Sequence, residues 1–123
     1  MFTADQIVAH LVGDYILQSH WMATEKTKQH LAAAVHAVVY TLPFLLITRS
    51  PAALATICGT HFLIDRYRLA RFVVWAKNGP WLPRTATGYQ DDVPPWLSVW
   101  LLIWADNTLH ILINGVAIYL FGN

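Results

Sequence analysis

The sequence predicts an all-α fold: an integral-membrane four-helix bundle forming one domain over residues 1–123. Three observations predict it. Of 123 residues, 56% are hydrophobic and 12% are charged, against about 25% charged in soluble domains. Several apolar stretches approach the roughly 20 residues that cross a ~30 Å hydrocarbon core. The polar residues inside those stretches recur as His10-x-x-x-Asp14, His36, His61-x-x-x-Asp65 and Asp106-x-x-x-His110. Residues four apart share one helix face.

The elements follow in order. The first helix, roughly 3–20, is the most polar, because Asp5, His10 and Asp14 interrupt it; hydropathy alone misses it. Asp5 suits the start of that helix, where an acid complements the free N–H groups. The second, roughly 30–48, has only His36 as a strongly polar side chain between Leu31 and Thr48, and Pro43 predicts a kink or a broken last turn. The third, roughly 51–74, opens on Pro51, which loses no intrahelical hydrogen bond in a first turn, and stops at Asn78-Gly79-Pro80. Pro94-Pro95 sets the entry to the fourth, roughly 95–121, interrupted by Asp106, Asn107, His110 and Asn114. The long loop 77–94 has the length of a lid or partner contact. Ala32 to Ala34, Ala52, Ala53, Ala55 and Gly59 mark close helix packing.

Charge orients such a bundle. Lys26, Lys28, Arg66, Arg68, Arg71, Lys77 and Arg84 fall on one side of the membrane, and Arg49 alone on the other. The positive-inside rule then makes the loops 21–30 and 77–94 cytoplasmic and places both termini on the opposite face of the membrane. Trp21, Trp75, Trp81, Trp96 and Trp100 gather at the same boundary, where indole rings prefer to sit. The first segment lacks the basic region of a secretory signal. Cys58 is the lone cysteine, so no internal disulfide forms. A net charge of +1 gives no case for nucleic-acid binding.

At about 1.5 Å per residue, the His and Asp groups fall in one layer of the cytoplasmic half. Ionisable groups inside a membrane are costly and mark function, and helices that each bring one inward build metal sites in bundles. The candidate ligands are His10, Asp14, His36, His61, Asp65, Asp106 and His110, a nitrogen and oxygen set suited to one or two divalent ions such as zinc, manganese or iron. Paired metals serve hydrolases. Asp14 and Asp106 are the candidate catalytic carboxylates, as general bases. Gln18 and Asn114 continue the polar stripes by one turn and, with Asn107, read as hydrogen-bond partners of the ligands. Arg66, Arg68 and Arg71 line the end of the third helix, facing lipid phosphates or an anionic group of a substrate. Three other readings use the same residues: polar packing between helices without metal, an ion- or proton-coupled transporter, and a non-catalytic interaction protein whose loop 77–94 does the binding.

The pattern His10-Leu11-Val12-Gly13-Asp14-Tyr15-Ile16-Leu17-Gln18, Trp21, Lys26, His36, His61-x-x-x-Asp65 with Arg68, and Asp106-Asn107-x-x-His110 resembles a family of small bacterial and phage integral-membrane proteins, domain of unknown function 3307. Related sequences carry Gln where Asn107 stands here, which keeps the amide. The resemblance implies a multi-pass protein of the bacterial inner membrane, bacterial or phage-encoded, with its termini then periplasmic or extracellular, and no assigned activity. Its His/Asp pattern is similar in style to that of small membrane-bound metal-dependent hydrolases. The sequence therefore leads to a small polytopic membrane protein with a His/Asp metal centre, an expected hydrolase of a lipid-linked or amphipathic substrate. Its expected partners are membrane lipid, further copies of itself or a host membrane protein.

Overall fold

The computed structural model describes residues 1–122 and is helical, with no strand among the described residues. Six α-helices appear: α1 (Ala4–Leu11), α2 (His20–Glu25), α3 (His30–Thr41), α4 (Pro51–Tyr67), α5 (Ala70–Asn78) and α6 (Pro95–Phe121). Thr3 caps α1 by accepting the Gln6 N–H on its hydroxyl, and Ser19 and Ser50 cap α2 and α4 in the same way.

Three of the four expected helices are interrupted, each for a local reason, the second where Pro43 predicts it. α1 widens at Val12–Ile16 into a π-turn, in which the Leu17 N–H donates to the Val12 carbonyl at 2.9 Å. α3 tightens at Leu42–Leu46 into a 3-10 turn around Pro43, which has no N–H to continue the α pattern. α4 ends at Arg68, whose φ of 53° and ψ of 48° are left-handed, and the chain restarts as α5. The stretch 21–30, expected as a loop, holds α2 instead, because Ser19 offers a cap just before it.

α6 is long and apolar enough to cross a membrane, alone among the described residues, and 28% of its most apolar eighteen residues are buried within the protein. The other apolar helical run, His30–Leu46, is shorter.

α3 packs along α4, α4 and α5 lie against α6, and α1 contacts α6 while its π-turn contacts α3. Ala32, Ala33, Ala37 and Ala53 are buried, and their short side chains let the α3 and α4 backbones approach. The apolar core is built from Ala9, Tyr40, Phe44, Ile57 and Ala117. The buried face of α4 reads Ala53, Ile57, His61 and Asp65, a four-residue repeat that runs from apolar core into polar cluster.

Gly13, inside the π-turn, lets α1 approach α3. A Cβ there would lie 2.7 Å from Tyr40 Cδ2 and 2.8 Å from the Tyr40 carbonyl oxygen. The second neighbour is backbone and cannot rotate away. Gly13→Ala is therefore expected to destabilise the fold by about 1–3 kcal/mol through overpacking, read as a lowered thermal midpoint in detergent; an unchanged midpoint contradicts this packing.

Candidate metal centre

Four elements deliver one polar cluster. The π-turn carries Asp14, α3 carries His36, and α4 carries His61 and Asp65; all four residues are buried. His61 and Asp65 stand one helical turn apart on the same face of α4. α6 adds Asp106 and His110, also one turn apart. Asp106 is the more open, with a third of its side chain exposed.

The donor atoms converge. His36 Nε2 lies 2.9 Å from His61 Nε2, 3.1 Å from Asp14 Oδ1 and 3.2 Å from Asp65 Oδ2. His61 Nε2 lies 3.4 Å from Asp14 Oδ1 and 3.2 Å from Asp65 Oδ2. Hydrogen atoms alone satisfy this badly. Carboxylates are acceptor-only, and a neutral imidazole carries one N–H.

The tautomers follow from the partners. His61 Nδ1 faces His110 Nδ1 at 3.2 Å, and His110 Nε2 is 3.1 Å from Asp65 Oδ1 and 3.5 Å from Asp106 Oδ2. With His110 donating from Nε2 to Asp65, its Nδ1 accepts the His61 Nδ1–H, and His61 Nε2 presents a lone pair to the cluster. Hydrogen bonding then supplies one N–H, on His36 Nε2, to face that lone pair and two carboxylate oxygens; ligation of an ion through Nε2 moves that proton to His36 Nδ1, which is buried without a partner.

Such a set fits a divalent ion. Tetrahedral zinc with bonds of about 2.0–2.2 Å to nitrogen and oxygen needs ligand atoms about 3.3–3.6 Å apart; one separation here, 3.4 Å, lies in that range and four, at 2.9–3.2 Å, are shorter, so binding an ion spreads the ligands by a few tenths of an ångström. Asp14, His36, His61 and Asp65 could hold one ion; Asp14, Asp106 and His110 form an overlapping second group. Charge points the same way. Among the described residues, Lys26 is the single Lys or Arg in contact with these carboxylates, with its Nζ 2.7 Å from Asp65 Oδ2. Burial alone would pull the Lys26 ammonium down, but Asp65 and Asp14 hold it above its ordinary value.

His10 is placed differently. Tyr40 donates its hydroxyl to His10 Nδ1 at 2.8 Å, and His10 Nε2 donates to Asn107 Oδ1 at 2.8 Å. Both ring nitrogens are occupied, and Asp14 Oδ2 is 3.8 Å away. Asn107 also bonds the Tyr15 hydroxyl, and Asn114 donates to the Tyr40 hydroxyl at 2.6 Å. Gln18 bonds none of the ligands; its Oε1 is buried without a partner beside a cavity of about 240 Å³ that opens onto Asp14, Asp65 and Asp106. Arg68 lines that cavity. Arg66 instead donates to the Thr27 carbonyl and lies over the Tyr67 ring.

Two contributors have no site role in the sequence reading. Tyr40 is fully buried and stacks on His61 with centroids 3.6 Å apart and planes 12° apart; an apolar helix with a tyrosine does not announce this. Lys26 precedes α3 in a charged stretch that reads as solvated. Arg71, expected with Arg68 at the end of the third helix, shares the cavity wall with it.

A family model described as "Protein of unknown function (DUF3307)" matches residues 2–86. The chain belongs to the DUF3307 family. The matched residues of this DUF3307 protein include Asp14, His36, His61 and Asp65 and stop before α6, so Asp106 and His110 lie outside the match. No curated protein and no solved structure matches the chain.

Tyr40→Phe removes a hydroxyl that two buried groups share. It is expected to cost about 1–3 kcal/mol, the penalty for leaving Asn114 and His10 unsatisfied, and to leave metal content unchanged. Thermal unfolding alongside elemental analysis checks both parts.

Proposed function

We propose that this DUF3307 protein is an integral-membrane four-helix protein whose buried cluster holds a divalent ion on Asp14, His36, His61 and Asp65, and that the centre hydrolyses an amphipathic substrate. The observation that carries the reading is the convergence of two imidazole nitrogens and two carboxylate oxygens, at 2.9–3.4 Å from one another, inside apolar helices. Ligands from three elements leave the cavity side open to a substrate. His110 orients His61 through the ring nitrogen that does not face the ion, the usual role of such a partner. Bound there, the ion supplies Lewis acidity. Asp106, at the cavity and a third exposed, takes up the proton of the attacking water. His10, Tyr40, Asn107 and Asn114 form a separate hydrogen-bonded group that fixes the helices around the site.

The membrane reading is supported by where the large apolar side chains lie. Leu46, Ile16, Trp96, Leu31 and Trp104 are 64–89% exposed, and they belong to the helical segments that surround the cluster. Water is a poor solvent for such a surface, and lipid is a good one. The π-turn and the break at Arg68 suit a bilayer because they lie at the polar cluster and its cavity, where freed backbone groups find partners, while the 3-10 turn packs Phe44 into the apolar core. The basic side, with Lys26, Arg68 and Arg71 near the cavity, is assigned to the cytoplasm by the positive-inside rule.

One observation favours a second reading, a metal-free polar lock. Lys26 Nζ donates to the same Asp65 oxygen that faces both imidazoles, and a cation at that point satisfies part of what an ion would.

Two measurements separate these readings. The wild-type protein in detergent is expected to carry about one zinc, manganese or iron per chain. His36→Ala and His61→Ala abolish the ion, and His110→Ala weakens it about 10–100-fold. Folded wild-type protein that is metal-free, and takes up none on incubation, selects the lock. Carbonate extraction of membranes is expected to leave the protein in the pellet; release into the supernatant rules out the spanning arrangement.

A further inference from the structure

The cavity beside the cluster has a composition of its own. Its wall contains three carboxylates, Asp14, Asp65 and Asp106, and three cations, Lys26, Arg68 and Arg71. The carboxylates face the converging nitrogens. The cations sit toward the end of α4 and the start of α5, with Lys26 reaching across from the segment after α2. Apolar side chains of Ile64, Leu102 and Ile103 complete the wall. It is therefore anionic against the cluster, cationic at one rim and greasy along the remainder.

Two backbone features place the arginines. The left-handed conformation of Arg68 ends α4, and a non-glycine residue in that region is disfavoured and tends to persist at functional sites. Arg68 at that end and Arg71 in the first turn of α5 both line the cavity. The second feature is the loop. Arg68 donates to the Ala86 carbonyl at 3.2 Å, and Gly88, with φ of 83°, brings the loop so close to α5 that a Cβ would lie 2.6 Å from the Arg71 carbonyl oxygen. The loop thus pins the turn that carries both guanidinium groups.

The donors have spare capacity. Arg71 Nε is buried without a hydrogen-bond partner; Gln18, which also lines the cavity, has an acceptor, Oε1, buried without one. Lys26 uses its contact to Asp65 and retains two further N–H donors. Arg68 uses one N–H on Ala86 and retains the others. The three cations match the three carboxylates, so a divalent ion in the cluster leaves the cavity with an excess of two positive charges. A neutral ester or amide would not answer that excess, whereas a phosphoryl group does, with several acceptor oxygens for guanidinium forks.

We propose that this cavity is a phosphoryl-binding site, in which Arg68, Arg71 and Lys26 hold the phosphate oxygens of a phosphate ester next to the metal cluster and Ile64, Leu102 and Ile103 contact its apolar portion. The proposal rests on the metal-centre reading for the charge excess and on the cavity alone for the arginines. Arg71 and Arg68 are positioning residues for the anion.

The test uses the full chain in detergent, loaded with zinc or manganese, and titrates inorganic phosphate, glycerol phosphate and dihexanoyl phosphatidic acid by calorimetry. Arg71→Gln, Arg71→Lys and Arg68→Asn are compared with wild type; asparagine is chosen because it tolerates the left-handed backbone. Elemental analysis accompanies each titration. The expected result is phosphate-ester binding that weakens about tenfold or more in Arg71→Gln and Arg68→Asn, less in Arg71→Lys, with metal content unchanged. Binding of phosphatidic acid well above the two soluble ligands assigns a lipid headgroup; equal binding assigns a soluble phosphate ester. Metal-loaded protein that binds none of the three, or binds them equally in all variants, overturns the phosphoryl site and leaves the metal centre standing. Metal-free protein whose phosphate binding still depends on the arginines overturns the metal centre and supports the phosphoryl site. Metal-free protein without arginine-dependent binding overturns both.

Discussion

Two carboxylates and two imidazoles turned toward one point, inside helices with apolar surroundings, are the constraint on which this structure depends. Burying Asp14 and Asp65 next to each other is unfavourable unless positive charge answers them. The protein commits one lysine to that task, two imidazole rings and the geometry of a cation site. Local irregularities in the helices have a reason within this frame. The π-turn, the left-handed Arg68 and the close contact at Gly13 are each less favourable than regular helix, and all three lie at the polar cluster or the cavity beside it.

Around the cluster, Tyr40 does several jobs through one side chain. Its ring covers the face of His61, and its hydroxyl accepts from Asn114 while donating to His10. α1, α3, α4 and α6 are therefore tied through a single phenol. A second chain of contacts runs from His61 through His110 to Asp65 and Asp106. It joins α4 to α6 and sets which nitrogen of His61 is free to act as a ligand. Orientation of the ligand and cohesion of the helices are in this way the same set of bonds.

Much of this was legible in the residues. The i, i+4 pairs on α4 and α6 place their members on one face whatever the details of packing, and a helix that is apolar except for such a pair has few ways to fold. Pro43 and Pro51 announce their local effects. Other features were not legible. The π-turn sets Gly13 against Tyr40, a contact between residues far apart in sequence. His10 and Asp14 look equivalent as a pair, yet the π-turn between them sends His10 to Tyr40 and Asn107 and Asp14 to His36. The break at Arg68 has no glycine or proline to mark it. Lys26 has the composition of a surface loop, and only the approach of α4 makes it part of the site.

The π-turn has a consequence for how this segment tolerates change. One extra residue is accommodated in a single turn, so the chain before it and the chain after it keep separate helical registers. Closing that turn into regular helix without removing a residue would rotate everything upstream by about 100°. His10 would then leave the Tyr40 and Asn107 pair, while Asp14 kept its place. Substitutions within Val12–Ile16 are constrained by side-chain fit, but length there is constrained by the angle between two binding partners. The segment acts as a joint whose residue count, more than its residue identity, carries the information.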